Sequence, residues 1–178
     1  RRRGDGAPLK RRLSARCLLA VPGSSFARDK LHRGIMQVDG RDAPPLQLDN
    51  MDGESWDIET ARGRWLFVHF WASWCGPCRE EMPTIQAIYP QFDPAKMEIV
   101  LINTAESEDT VFEFLAAVAP DITPLMDNDG LVTERWQPRG LPSTYFVDPQ
   151  GKLRYLALGG RPWDTPEYLA FLRRMITD

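Results

Sequence analysis

Two cysteines, Cys75 and Cys78, stand two residues apart in the stretch Phe70-Trp71-Ala72-Ser73-Trp74-Cys75-Gly76-Pro77-Cys78. Thiols at that spacing can close into a disulfide and reopen, which is the chemistry of thiol–disulfide exchange. The attacking species is a thiolate. The first turn of a helix favours one through its unpaired backbone N–H groups and the positive end of its dipole. Trp65 to Phe70 is apolar and rich in the aromatic and β-branched residues of a buried strand. Arg79 to Tyr89 places Met82, Ile85, Ile88 and Tyr89 at helical spacing. Cys75 is therefore expected at a helix start, exposed enough to attack, with Cys78 about one turn further in and able to resolve. The rival uses are a structural disulfide and a zinc half-site. A structural disulfide does not need an exposed helix start. Zinc takes four N or S ligands, and beyond the pair the chain offers only His32, His69 and Cys17. No metal is expected.

The elements that must hold this stretch follow in order. Ala43-Pro44-Pro45 opens the folded part. Leu46, Leu48, Trp56 and Ile58 alternate with polar residues around Met51-Asp52-Gly53, a β-hairpin pattern. Pro83 falls inside the cysteine helix, where it removes a hydrogen bond. Glu98 to Asn103 reads as a second buried strand. Asp109 or Thr110 caps a helix running to Ala119, with Val111, Phe114, Leu115 and Val118 on one face. Ile122 to Met126 is a short extended piece, and Asp127-Asn128-Asp129-Gly130 turns into a short helix ending at Trp136. Thr144 to Val147 and Leu153 to Leu158 make a hairpin, and Thr165-Pro166-Glu167 opens a helix to about Ile176. Strands alternating with helices, closed by a hairpin, predict an α/β domain with a mixed central sheet flanked by helices.

With 178 residues and a 43% apolar fraction, the chain fits one globular domain plus some excess. No apolar run approaches the roughly 20 residues that span a bilayer. The net charge of −3 is uneven: Arg1 to Arg16 carries +6, leaving −9 on the remainder. A basic tail ahead of an acidic domain argues against nucleic acid as the main partner. Residues 1–33 read as a disordered tail and residues 34–178 as the folded domain. The chain opens at Arg1 rather than Met, as a processed, truncated or misassigned start. Basic residues, then Leu18-Leu19-Ala20-Val21, then small residues to Ala27 have the outline of an export signal. The apolar part is short, however, and a solvated tail with Cys17 as a free thiol is the expectation.

Trp74-Cys75-Gly76-Pro77-Cys78 after a strand, Pro83 eight residues beyond the first cysteine, and Arg139-Gly140-Leu141-Pro142 ahead of a strand resemble the thioredoxin superfamily. The resemblance makes Pro142 the family's cis-proline beside the cysteine pair. It also gives Leu141 backbone groups that pair with an extended substrate strand. The hairpin Leu46–Ile58, extra residues at about 105–127, the run 70–83 and Arg161-Pro162-Trp163 resemble the TlpA/ResA-like branch, over about residues 35–178. That branch implies a reducing thiol–disulfide oxidoreductase outside the cytoplasm, in the periplasm or cell envelope. It implies disulfide-containing protein substrates such as apocytochrome c or copper-site assembly proteins, and a membrane thiol–disulfide transporter as electron donor. It implies no bound cofactor. A monomer is expected.

Gly76-Pro77 is the thioredoxin-type dipeptide and points to a couple nearer about −270 mV than about −120 mV. Glu81 stands where ResA-like proteins carry an acid thought to adjust thiol acidity; otherwise it is a solvated glutamate beside Arg79 and Glu80. His69, six residues before Cys75, replaces the buried acid of thioredoxins and the amide of this branch. Either it relays protons or it is a satisfied core histidine. Trp74 and Pro142, with Gly76, Pro77 and Leu141, are expected to shape the partner groove. Phe70, Trp71, Trp136 and Trp163 are expected in the core, as is the apolar face of Phe112, Phe114 and Leu115, whose helix is otherwise a place for partner contacts. Two other functions use the same residues: a peroxiredoxin-like peroxidase, which would want a lone cysteine preceded by Thr or Ser, and a copper- or thiol-binding module.

Overall fold

The most apolar stretch of the chain forms the middle of the sheet. β4 (Trp65–Trp71) lies between β5 (Met97–Thr104), which runs parallel to it, and β7 (Ser143–Val147), which runs antiparallel. The computed structural model describes residues 34–177; the expected basic tail, its export-signal outline and Cys17 lie outside them. Beyond β5 comes β6 (Leu125–Asp127), parallel to it. Beyond β7 come β8 (Leu153–Leu158) and the edge strand β1 (Ile35–Gln37), both antiparallel. The order is β1-β8-β7-β4-β5-β6, a mixed sheet. β2 (Gln47–Asp49) and β3 (Ser55–Asp57) form a separate hairpin, tied to the main sheet by a bridge from Asn50 to Leu125.

Side chains alternate across the sheet and so build two cores. Phe67 and Trp71 of β4 join Ile99, Leu101 and Phe146 against α1 (Gly76–Ile88), α2 (Glu108–Val118) and α4 (Pro166–Met175). Leu66, Val68 and Phe70 join Val100, Ile102 and Tyr145 against the hairpin, the 3-10 turn Ile58–Ala61 and α3 (Leu131–Trp136). Because both faces are covered, β4 is buried from Leu66 to Trp71, and its sequence reads as a continuous apolar run rather than an alternating one. His69 is the exception in that run, a polar residue on the α1 side.

The expected elements are present, with differences at two helix starts and one added strand. α1 begins at Gly76 rather than Arg79, because Cys75 is its N-cap. Ser107, not Asp109 or Thr110, caps α2, its hydroxyl accepting the Thr110 N–H at 3.4 Å. β1 was not expected, since three residues are too few to display an alternating pattern. The Leu141–Pro142 peptide is cis, as the resemblance implied.

Phe67 is fully buried, its ring edge-on to Phe146 at 5.4 Å and to Trp163 at 4.8 Å. Truncation removes transfer energy and leaves a cavity, so Phe67→Ala should lower stability by about 3–5 kcal/mol. Urea unfolding followed by tryptophan fluorescence measures this; a loss under about 1 kcal/mol would mean that the core collapses freely around the gap.

Candidate active site

The chain leaves β4 at Trp71 and enters α1 five residues later. Cys75 sits at the junction with extended backbone (φ −82°, ψ 111°), and its Sγ accepts the Cys78 N–H at 3.3 Å. Pro77 in the first helical turn has no N–H to strand. The two sulfurs are joined in a disulfide, with the Cα atoms 5.3 Å apart. Cys75 is not open to solvent as expected: it is 5% exposed and Cys78 is fully buried. The sulfur of Cys75 is folded back over the first turn, where it bonds Cys78 and takes up a helix N–H. The exposed group is Trp74, at 70%, with Gly76 and Pro77 beside the sulfurs also exposed.

Glu81 follows Cys78 by one helical turn, and it is not a solvated residue. It is 3% exposed. Its Oε2 accepts the Arg161 N–H at 2.6 Å, and its Oε1 lies 2.9 Å from Nε2 of the fully buried His69. On the other side of the ring, Nδ1 lies 2.9 Å from Oγ1 of Thr144, the cross-strand neighbour of His69 in β7. A threonine hydroxyl donates or accepts, so either ring tautomer is satisfied there. The proton of the pair can therefore reside on Glu81 or on His69 without stranding the far side of the ring. His69 and Glu81, taken separately in the sequence, are one unit. Tyr168 of α4 lies within electrostatic reach of Glu81; burial holds its phenol above the ordinary range, against an opposing pull from Arg161. It stays protonated at neutral pH and is no base.

The loop after β8 closes the site from outside. Gly160 packs so tightly that an added Cβ would stand 3.0 Å from the Pro77 carbonyl oxygen, a closer approach than most side chains make. Thr84 ties the same loop to α1, donating to the Glu81 carbonyl oxygen at 2.7 Å while its hydroxyl accepts the Trp163 N–H at 3.2 Å. A cleft of about 330 Å³ opens here, lined by Pro77, Glu80, Glu81, Thr84, Gly160 and Arg161. Glu81 thus projects from the cysteine helix beside an opening to solvent.

Pro142 reaches the site through strand register. Phe70 pairs antiparallel with Ser143, which puts the residue before Ser143 at the end of β4 from which the cysteine loop departs. Pro142 is buried, its carbonyl oxygen accepting the Gly159 N–H at 2.8 Å, and Leu141 is half-buried. Phe70, Trp71, Trp136 and Trp163 are core residues as expected, as are Phe114 and Leu115, whereas Phe112 is 64% exposed. Thr144 and Glu106 had no signal in the sequence: a lone threonine in a strand and a lone glutamate in a loop announce nothing. Among the described residues, no group of three or more His, Cys, Asp or Glu side chains is gathered to hold a metal ion.

A family model described as the AhpC/TSA family matches residues 40–156. The thiol-disulfide oxidoreductase ResA of Bacillus subtilis is 30% identical over 121 residues, covering 68% of each chain. The ResA of Geobacillus thermodenitrificans is 28% identical over 142 residues, covering 80% of this chain and 82% of its own. Among solved structures, a protein from Chlorobium tepidum assigned as a thiol:disulfide interchange protein DsbE superposes with a TM-score of 0.70 at 25% identity, covering 79% of this chain and 99% of its own. StoA from Bacillus subtilis superposes with a TM-score of 0.63 at 22% identity, covering 79% of this chain and all of its own.

The contact between His69 and Glu81 makes a stability prediction. Removing one member of a buried, paired couple leaves the facing polar atom of the other, Glu81 Oε1 or His69 Nε2, unpaired, a loss of about 3–5 kcal/mol. His69→Leu and Glu81→Leu should each destabilise by that order, and the double variant should cost less than the two combined. A double-mutant cycle by denaturant unfolding reads the difference, and simple additivity would mean that the two side chains do not interact.

Proposed function

The chain belongs to the AhpC/TSA family and is a thiol–disulfide oxidoreductase of thioredoxin fold, and from that premise we propose that it reduces disulfides of proteins in the periplasm or cell envelope through Cys75 and Cys78. The observation that carries this reading is the cysteine pair at the first turn of α1 with Glu81 and His69 buried one turn beneath it. Relatives named ResA, a name given to thiol-disulfide oxidoreductases, support it.

In the reduced state the Cys75 thiolate, stabilised by helix N–H groups and the dipole, attacks one sulfur of the partner disulfide. A bond forms between Cys75 and that sulfur, the partner's S–S bond breaks, and its second sulfur leaves as a thiolate that takes up a proton. Cys78 then loses its proton to the Glu81–His69 pair and attacks Cys75 Sγ. The mixed disulfide breaks, and the partner's first sulfur departs and is protonated. Two electrons have passed to the partner, one of its thiol protons coming from solvent and the other from Cys78 by way of the Glu81–His69 pair, leaving the Cys75–Cys78 disulfide. A dithiol donor resets it, and a membrane thiol–disulfide transporter fits that role. Trp74, Gly76, Pro77 and the Leu141–Pro142 peptide form the surface on which the partner strand lies. Apocytochrome c and copper-site assembly proteins are the substrate classes proposed. The protein acts as a monomer without a bound cofactor.

Turnover of insulin disulfides with dithiothreitol as reductant tests the reading. Cys75→Ser should lower the rate by at least about 100-fold, and Cys78→Ser should accumulate a Cys75–partner mixed disulfide that mass spectrometry identifies. Peroxide consumed faster than insulin would favour the peroxidase. Tight copper binding by the reduced protein, lost in Cys75→Ser and without disulfide turnover, would favour the binding module. Glu81→Gln removes a carboxylate that opposes a neighbouring thiolate and accepts its proton. The pH profile of Cys75 alkylation should therefore move to lower pH, while resolution of the mixed disulfide slows by about tenfold or more. An unchanged profile and an unchanged resolution rate would remove Glu81 from the mechanism.

A further inference from the structure

Every polar atom of Ser73, two residues ahead of the reactive cysteine, is held. Its backbone N–H donates to Glu106 Oε2 at 2.7 Å, and its hydroxyl donates to Glu106 Oε1. Its carbonyl oxygen accepts from Arg79 Nη1 at 3.2 Å. The same Glu106 Oε2 accepts from Nδ2 of Asn103, a fully buried residue at the end of β5, at 2.7 Å. Trp71 and Asn103 are register partners, so the two strand ends lie side by side and the carboxylate spans the loops that leave them. The intervening backbone is bent to allow this. Ala105 takes a left-handed conformation, φ 55°, which is strained for a residue with a Cβ. Its N–H is anchored on the Asp127 carbonyl oxygen at 3.0 Å. That turn folds Glu106 back over the cysteine loop instead of letting it follow the chain into α2. From α2 itself, Phe114 lies 5.0 Å beneath the Arg79 guanidinium and packs on Trp71. The extra segment at about 105–127 therefore touches the cysteine loop through a carboxylate at its start and through an aromatic ring on its helix.

We propose that Glu106 is a positioning residue for Cys75, acting through Ser73. By fixing the Ser73 peptide, it sets the direction in which Trp74 and Cys75 leave the strand. That keeps Cys75 Sγ over the first N–H groups of α1, the geometry that stabilises its thiolate. Three donors converge on the carboxylate, so its role is one of bonding pattern rather than of bare charge. The segment that lengthens the chain between cysteine pair and cis-proline thereby serves the nucleophile directly. This inference rests on Cys75 being the nucleophile.

The test is the rate and pH profile of iodoacetamide alkylation of the reduced full chain, read at the Cys75 peptide by mass spectrometry so that Cys17 does not contribute. Glu106→Ala releases the loop. Its rate at pH 7 should fall about tenfold, and its profile should move up by about one pH unit, as the thiolate loses its helix donors. Glu106→Gln can still accept both N–H groups on its amide oxygen and meet the Ser73 hydroxyl with its NH₂. It should stay within about threefold of the wild type with an unmoved profile. A change in stability alone does not move a pH profile, so the two variants separate positioning from folding. Should Glu106→Ala fail to fold, Glu106→Asp takes its place, because it keeps the charge but is one methylene too short to span both loops; it should slow alkylation similarly. A wild-type profile in Glu106→Ala or Glu106→Asp overturns the proposal. So does a profile shifted to lower pH in Glu106→Gln, which would make the charge the active quantity. A wild-type Cys75 no more reactive than Cys17 would sink the underlying nucleophile assignment instead, a result distinct from any of these.

Discussion

A sulfur atom caps a helix in this protein, and the rest of the site depends on that. The N-cap position is ordinarily filled by an oxygen that accepts an otherwise unpaired N–H of the first turn. Here Cys75 Sγ takes the Cys78 N–H, so the group that shapes the helix end is also the group that carries charge in the proposed mechanism. The N–H and dipole that satisfy the cap are the same features that favour a thiolate over a thiol. Structure and reactivity are not separable at this residue. The price of that economy is precision: a helix end is prone to fray, and its geometry has to be enforced from outside.

Enforcement comes from three directions. From β4 and β7, His69 and Thr144 support Glu81, which in turn holds the loop at Arg161 that closes over Pro77. From β5, Asn103 and Glu106 hold Ser73 ahead of the cysteine. From the turn before β7, cis-Pro142 stands at the end of β4. Register makes this convergence possible. With β5 parallel to β4 and β7 antiparallel, the ends of β4 and β5 and the start of β7 meet at one edge of the sheet. The crossover connections that a parallel pair requires leave room there for loops.

The buried polar pair beneath the cysteines sits in a core built mostly of aromatic and aliphatic side chains. Groups of this kind contribute little net stability, because removing them from water costs about as much as their attraction returns. In the proposed mechanism their value is chemical. A carboxylate and an imidazole in mutual contact, out of solvent yet beside a cleft, can hold and release a proton at a depth that bulk water does not reach.

By itself the sequence determined the elements and the chemistry. An apolar run broken by Trp74-Cys75-Gly76-Pro77-Cys78, a helical spacing after it and a proline ahead of a later strand are local patterns, legible because strands, helices and turns are set by neighbours within a few residues. The aromatic core residues Phe70, Trp71, Trp136 and Trp163 were legible for the same reason. What only the tertiary structure decided are contacts between residues far apart in the chain. Glu81 looked as fit for solvent as Glu80, because nothing in a helix repeat distinguishes them; the loop at Arg161, 80 residues on, is what buries it. His69 and Thr144 are 75 residues apart and meet through strand pairing. Glu106 finds Ser73 only because β4 and β5 end together and Ala105 turns back. The short edge strand β1 exists only where β8 offers it a partner. A short-range pattern names the reactive group, but the folded chain chooses which distant groups surround it, because burial and hydrogen bonding are properties of three-dimensional neighbours.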